Sequence, residues 1–152
     1  MRRHEKEIID TGEIESIIRR SSVCRLALCD DGTPYIVPMC FGYDGGKLYF
    51  HSAAEGLKLD MIRRNPKVCF EFDIDVELVP NENNCSIGMK YRSVIGFGTA
   101  MIIKGADEIK TGLEAIVRQY GSEPSPYPEE IIRKIVVIRI DIESMSGKKS
   151  GY

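Results

Sequence analysis

The sequence predicts a mainly β domain of the α+β class, an antiparallel sheet curled toward a barrel with helices at its ends. Strand-like runs follow one another through tight turn signals, and only two helical patterns are long enough to pack on a sheet. These helices do not alternate with the strands as βαβ units would require. At 152 residues the chain fits one domain, 1–152, which buries about two thirds of the surface its unfolded form exposes.

In chain order, "TGEIESIIRR" at 11–20 places Ile14, Ile17 and Ile18 at i, i+3, i+4, a short amphipathic helix closing one end of the core. The run "VCRLALCDDGTPYIVPMCFGYDGGKLYFHS" is punctuated at Asp31-Gly32 and Gly45-Gly46, which predicts three strands near 23–29, 35–42 and 47–52 joined by two hairpins. Pro38 cannot donate to a ladder, so its strand should be bulged or lie at an edge there. Residues 53–64 carry a helix pattern that Asn65-Pro66 ends, and Ser52-Ala53-Ala54-Glu55 reads as a capping box at its start. "KVCFEFDIDVEL" alternates, with Val68, Phe70, Phe72 and Ile74 on one side. A polar loop at 78–87 precedes a strand over 89–103 in which Gly96 and Gly98 mark either barrel curvature or a closely approaching body. A second amphipathic helix spans 106–120, with Ile109, Leu113, Ile116 and Val117 on its face. After the proline-rich "GSEPSPYPEE" comes a closing strand with Val136, Ile138, Ile140 and Ile142 toward the core. The total is about six strands and three helices.

A net charge of −2 with 29% charged residues and no basic block argues against nucleic acid as a partner. No apolar run approaches a membrane span, and the charged start "MRRHEKEIIDTGE" lacks a signal-peptide core, so the expectation is a cytoplasmic protein. Cys24, Cys29, Cys40, Cys69 and Cys85 are odd in number, and four lie in apolar runs, which suits buried free thiols better than disulfides. Cys85 sits in a polar loop, and "NCS" at 84–86 matches a glycosylation acceptor that has no signal peptide to use it. No pair of histidines or C-x-x-C spacing supports a zinc site. No nucleophile elbow, carboxylate pair or complete dinucleotide fingerprint is present.

Two places carry candidate chemistry. A helix starting after Ser52 would attract an anion to its unpaired amides, and Lys58 would add a point charge for a phosphate. Beside it stands His51, one of two histidines, for which packing at a strand end and ligand contact are both open. Further on, Lys90-Tyr91-Arg92-Ser93 puts two cations and a hydroxyl at the start of an apolar strand, which a solvated face would also explain.

Together, "RLALCDDGTPYIVPMCFGYDGGKLYFHSAAEGLKLDMIRRNPKVCFEFD" and "GMKYRSVIGFGTAMII" resemble the flavin-binding split-barrel superfamily, within it the pyridoxamine 5′-phosphate oxidase-like branch that contains the nitroimidazole-resistance proteins. The likeness covers roughly residues 22–103 and rests on an ordered set of motifs. It implies a six-stranded antiparallel split β-barrel of Greek-key type with flanking helices, and a homodimer with flavin mononucleotide (FMN) between the subunits. On this resemblance Val37, Pro38, Met39 and Cys40 line the isoalloxazine ring, His51 and Ser52 touch the flavin, Lys58 binds the phosphate, and Arg92 and Ser93 reach the cofactor from a later strand. His51 takes the catalytic role.

The chain departs from the pattern in two places. Leu57 stands where many relatives carry arginine beside the phosphate lysine, so the phosphate charge falls on Lys58 and Arg92. The ending "SMSGKKSGY" replaces the basic and aromatic tail of the pyridoxamine phosphate oxidases, which argues against that activity. The expected function is an FMN-dependent oxidoreductase of flavin reductase or nitroreductase type, passing electrons from a small-molecule donor to a small acceptor such as a nitroaromatic. The alternatives are a non-catalytic flavin-binding module and a haem-binding split barrel with His51 as axial ligand.

Overall fold

Two tight turns and one interruption direct the first half of the chain. The computed structural model describes residues 3–81, 87–132 and 134–152, with residues 129 and 131 by backbone alone. After strand β1 (Glu7–Ile8), helix α1 (Thr11–Arg20) starts at Asp10, whose carboxylate accepts from the Gly12 amide at 2.8 Å, and it buries Ile14, Ile17 and Ile18 as expected. Strands β2 (Cys24–Asp30) and β3 (Thr33–Met39) form a hairpin through Asp31 at φ 47° and Gly32 at φ 72°. Strands β4 (Gly42–Asp44) and β5 (Lys47–Ala53) form a second through Gly45 at φ 55° and Gly46 at φ 75°. Positive φ at both central residues is what a two-residue hairpin loop requires, and the sequence marks both turns.

The expected single strand over 35–42 is divided. β3 pairs with β2, β4 pairs with β5, and Cys40-Phe41 carries the chain between them. The expected second hairpin stands between β4 and β5, and Cys40-Phe41, inside the run expected to be one strand, is a crossing from one edge of the sheet to the other. Phe41 is fully buried, its ring 4.8 Å from that of Phe72, and its amide donates outside the ladder. The Tyr120 hydroxyl accepts from it at 3.1 Å and donates to the Ser22 carbonyl at 2.9 Å.

Helix α2 (Leu57–Arg64) is followed by β6 (Lys67–Val79), β7 (Gly88–Ile103), helix α3 (Ala106–Gln119), the short helix α4 (Glu129–Ile132) and β8 (Ile135–Ser150). Among the described residues the eight strands form one open antiparallel sheet in the order β3-β2-β6-β7-β8-β5-β4, with β1 on β8. The count exceeds the expected six because β1 and β4 have two and three residues, too few for a periodic signal. Cys85 and the Asn84–Ser86 acceptor lie outside the described residues. Among the described cysteines, all free, Cys24 is buried, Cys69 half-buried, and Cys29 and Cys40 exposed. The expectation of buried thiols thus holds for Cys24 alone, because Cys29 projects from the opposite face of the same strand and Cys40 sits at the crossing.

The main core joins Leu26, Phe50, Phe70, Phe72, Val94 and Ile138 to the buried face of α1, and a second cluster packs α3 on Tyr49 and Val137. Gly96 and Gly98 serve this packing: a Cβ at Gly96 would overlap the Phe70 ring, one at Gly98 would meet the Asp141 carbonyl, and β7 shifts register against β8 between Phe97 and Gly98. Curvature and close packing account for both glycines. No helix among the described residues is long and apolar enough to cross a membrane.

Tyr120→Phe removes the acceptor of the Phe41 amide and the donor to Ser22 while keeping the ring. Leaving a buried group unpaired costs about 1–3 kcal/mol, so the variant should unfold at lower urea concentration with an unchanged slope.

Candidate functional site

The end of β5 brings three of the expected residues together. Leu48 and Phe50 point into the core, whereas Tyr49 and His51 point outward. Tyr49 is covered by α3, but two residues on His51 is exposed, opposite Val137. Ser52 lies opposite Val136 and is half-buried at the sheet's rim. The strand ends with Ala53 opposite Ile135, and Gly56, at φ 134°, turns the chain into α2. That angle is strained for any residue with a side chain.

This geometry overturns the capping box. Ser52 belongs to the β5 ladder, the helix begins at Leu57 instead of 53, and no side chain caps it; Glu55 is exposed. Pairing with β8 as far as Ala53 holds Ser52 extended, five residues before the first helical turn. The start of α2 is left with uncapped amides, a positive partial charge.

His51, Ser52, Gly56 and Lys58 line one cleft of about 400 Å³, with Tyr35 of β3 on its wall. Lys58 is half-buried, and among the described residues neither an ion pair nor a side-chain hydrogen bond engages it, His51 or Ser52. Burial pushes the Lys58 ammonium below its ordinary 10.5. An anion in the cleft would relieve that penalty. Tyr35 was absent from the sequence expectations. Its signal was the alternation of β3, which sets Tyr35, Val37 and Met39 on one half-buried side.

The β3 residues have the edge position that Pro38 implied. Among the described residues β3 is the outer strand of the sheet and pairs with β2 alone, so its second edge keeps its backbone groups available. Val37 and Met39 lean on the core, while Pro38 and Cys40 are exposed.

Arg92 and Ser93 lie elsewhere. His51 is registered opposite Val137 of β8 and Arg92 opposite Lys149, twelve residues further along that strand, about 40 Å of extended chain. Arg92 is also occupied. Its Nη1 donates to Asp75 Oδ2 at 2.6 Å, and its guanidinium lies 3.9 Å from the centre of the Tyr152 ring, whose hydroxyl donates to the Asp75 carbonyl at 2.6 Å. Arg20 donates to the other Asp75 oxygen at 2.6 Å. Asp75 stands at φ 55° where β6 slips register against β7, between Ile74 and Glu77. The regular alternation of "FDIDVEL" gives no sign of that irregularity, though aspartate tolerates the conformation better than most residues.

The family model described as pyridoxamine 5′-phosphate oxidase matches residues 10–149. The chain belongs to that family. A solved structure of a candidate 5-nitroimidazole antibiotic resistance protein from Bacteroides thetaiotaomicron is similar at 35% identity and TM-score 0.84, covering 94% of this chain and 86% of that one. A FAD and heme binding protein from Mycobacterium smegmatis shares the fold at 17% identity and TM-score 0.81, covering 97% and 74%. Among curated proteins, the uncharacterized protein RA0666 of Rhizobium meliloti is 36% identical over 64 residues, so the match spans 42% of this chain and 42% of that relative.

Asp75 supplies a pH test of the far cluster. Desolvation raises its carboxyl pKa, but hydrogen bonds from Arg92 and Arg20 outweigh it and hold the group below the usual 3.8. A depressed folded-state pKa contributes stability that is present above the unfolded value and lost as pH falls through the folded one. Acid unfolding of the native chain should therefore steepen below about pH 4, and Asp75→Asn should flatten that limb in unfolding followed by circular dichroism.

Proposed function

We propose that the chain binds FMN in the His51 cleft and acts as an FMN-dependent oxidoreductase of the nitroimidazole-resistance type, in the cytoplasm. One observation carries the reading: a half-buried lysine without an ion-pair partner, beside an uncapped helix start, converges with His51 and Ser52 at the end of one strand. That donor set fits a phosphate dianion, with Lys58 as the charge and the first α2 amides and the Ser52 hydroxyl as hydrogen-bond donors. Leu57, exposed beside it, adds none. The free edge of β3 from Val37 to Met39, and Cys40 just beyond it, offer backbone donors and acceptors to a planar ring.

Bound FMN supplies two-electron redox chemistry, which the protein positions and shields. His51 would hold or deliver a proton at the edge of the ring, since an imidazole can both donate and accept a hydrogen bond. Lys58 and the α2 start would fix the phosphate end, and Tyr35 would wall the cleft. Similarity to the candidate nitroimidazole-resistance protein supports a small nitroaromatic acceptor, and a small-molecule electron donor completes the turnover.

A homodimer with the cofactor at the subunit interface belongs to the same reading. Arg92 and Ser93 are too far along the sheet to meet the His51 cleft of their own chain, so contact with the same flavin requires a second copy. The outer sheet face supports such contact: Ile36 is 60% and Phe97 55% exposed, and the pairings Ile36–Ala27, Ala27–Cys69 and Cys69–Phe97 place them in one row across four strands.

The absorption spectrum of the purified protein tests the cofactor. A yellow protein releasing FMN is expected; red-brown haem absorption, or a colourless protein that takes up no added FMN, overturns the reading. Lys58→Ala should weaken FMN binding about tenfold or more, the worth of one charge-assisted hydrogen bond, in a fluorescence titration. Native affinity should begin to fall with rising pH below 10.5, because the lowered pKa discharges Lys58 early. His51→Ala should keep its flavin and lose most turnover; undiminished turnover would remove His51 from the chemistry.

A further inference from the structure

A second cleft, of about 770 Å³, lies where the chain's first described residues cross the far ends of β7 and β8. Arg3, Lys6, Lys90 and Lys148 line it, and its apolar wall is formed by Val79, Met89 and Tyr91. It shares no residue with the His51 cleft. In a chain of net charge −2, four cations around one opening are a local reversal of sign. Among the described residues, Lys90 alone of the four has a carboxylate in ion-pair range, that of Glu77 at 3.4 Å; alternation sets Lys90 on the opposite face of β7 from Tyr91, its ammonium 5.8 Å from the centre of the Tyr152 ring. Lys6 donates to the Ser150 hydroxyl at 2.7 Å, which ties the N-terminal segment to β8. Lys148 stands 5.4 Å from the centre of the Tyr91 ring, so cation and aromatic face meet on the same side of the sheet. Register confirms this placement: Tyr91 is opposite Ser150, and Ser93 is opposite Lys148.

Cations brought together without matching carboxylates raise each other's cost, and a multiply charged anion relieves it. The apolar wall adds what a simple anion does not use. Tyr91 and Met89 offer contact to a planar, weakly polar body, while Arg3, Lys6 and Lys148 satisfy the oxygens of two linked phosphates. From this pairing of cationic rim and aromatic wall, we propose that the cleft binds a nucleotide carrying a diphosphate, its base against Tyr91 and its phosphates between Lys148 and the N-terminal Arg3 and Lys6.

The test uses the full chain with its native cofactor content, titrated calorimetrically with ADP and with inorganic pyrophosphate. ADP should bind, more weakly as salt is raised. The variant K148E should lose about tenfold or more in ADP affinity, as expected when a charge-assisted contact is reversed, with melting temperature and bound chromophore unchanged. Tyr91→Ala should weaken ADP and leave pyrophosphate unaffected. Absence of ADP binding to the native chain, or equal binding by the charge-reversed variant, overturns the site. Pyrophosphate binding as tight as ADP, with no effect of Tyr91→Ala on either, overturns the assignment to a nucleotide. Loss of the chromophore at Lys58→Ala with ADP binding intact separates this site from the flavin reading.

Discussion

The structure depends on how an open sheet is held together at its two edges. β3 and β4 are consecutive in the chain yet lie at opposite ends of the strand order, and two residues, Cys40 and Phe41, join them. A backbone amide that leaves the ladder and enters the interior has to find another acceptor. Phe41 finds it in Tyr120, whose hydroxyl passes a hydrogen bond on to Ser22. Burial pushes the Tyr120 pKa up to about 12, so that donor remains protonated throughout the ordinary pH range. Gln119, adjacent, donates to the carbonyls of Arg19 and Ser21 at the end of α1. The C-terminal end of α3 thus ties α1, the β2 entry and the β3–β4 crossing to one another. Gly42 completes the junction, because a Cβ there would enter the backbone of Ala115 and Ile116.

Leaving the edges unpaired creates the place where a ligand can be held. An exposed sheet edge invites association with another chain unless it is short, covered or interrupted. β3 carries Pro34 and Pro38, which remove donors, and its neighbour at the crossing is covered by α3. The same strand retains backbone groups that a closed barrel would have spent on pairing. At the rim, Gly56 makes the turn that lets α2 start beside His51 and Ser52 without a capping side chain. A capped start would have satisfied the first amides internally and placed a carboxylate at the proposed phosphate position.

Much of this was legible in the sequence, and the failures have one physical origin. Hairpins at Asp31-Gly32 and Gly45-Gly46, the buried stripe of α1, the alternation of β6 and the edge character of β3 follow from local rules: turn chemistry, period and the missing proline donor. The division of 35–42 into two strands was not legible. Cys40-Phe41 is as apolar as its surroundings, and the reason for the break is Tyr120, seventy-nine residues away from Phe41. Ser52 and Glu55 matched a local capping pattern, but pairing with Ile135–Val137 overrode it. Among the site residues, His51, Ser52 and Lys58 stood within one short segment and were brought together. Arg92 and Ser93 belonged to a distant segment, whose placement relative to His51 is set by the register of β8.

Charge pairing then sorts the cations into those that hold the fold and those left to bind something. Arg25 reaches Glu71 and Asp73, Arg139 reaches Glu108 and Asp141, Arg64 reaches Asp30, and Lys67 reaches Glu143. Arg92 belongs to this group, fixed by Asp75 from one side and covered by Tyr152 from another. To serve a phosphate it would have to give up both contacts, so the charge missing at Leu57 is not readily replaced from that position. Exposed pairs of this kind contribute little stability individually, but they hold each cation in place and neutralise its field. Lys58 has no such partner among the described residues and is half-buried besides. A lysine in that setting is costly to the folded chain unless an anion joins it, and this imbalance, more than any sequence motif, is what supports the proposal of a binding site at the end of β5.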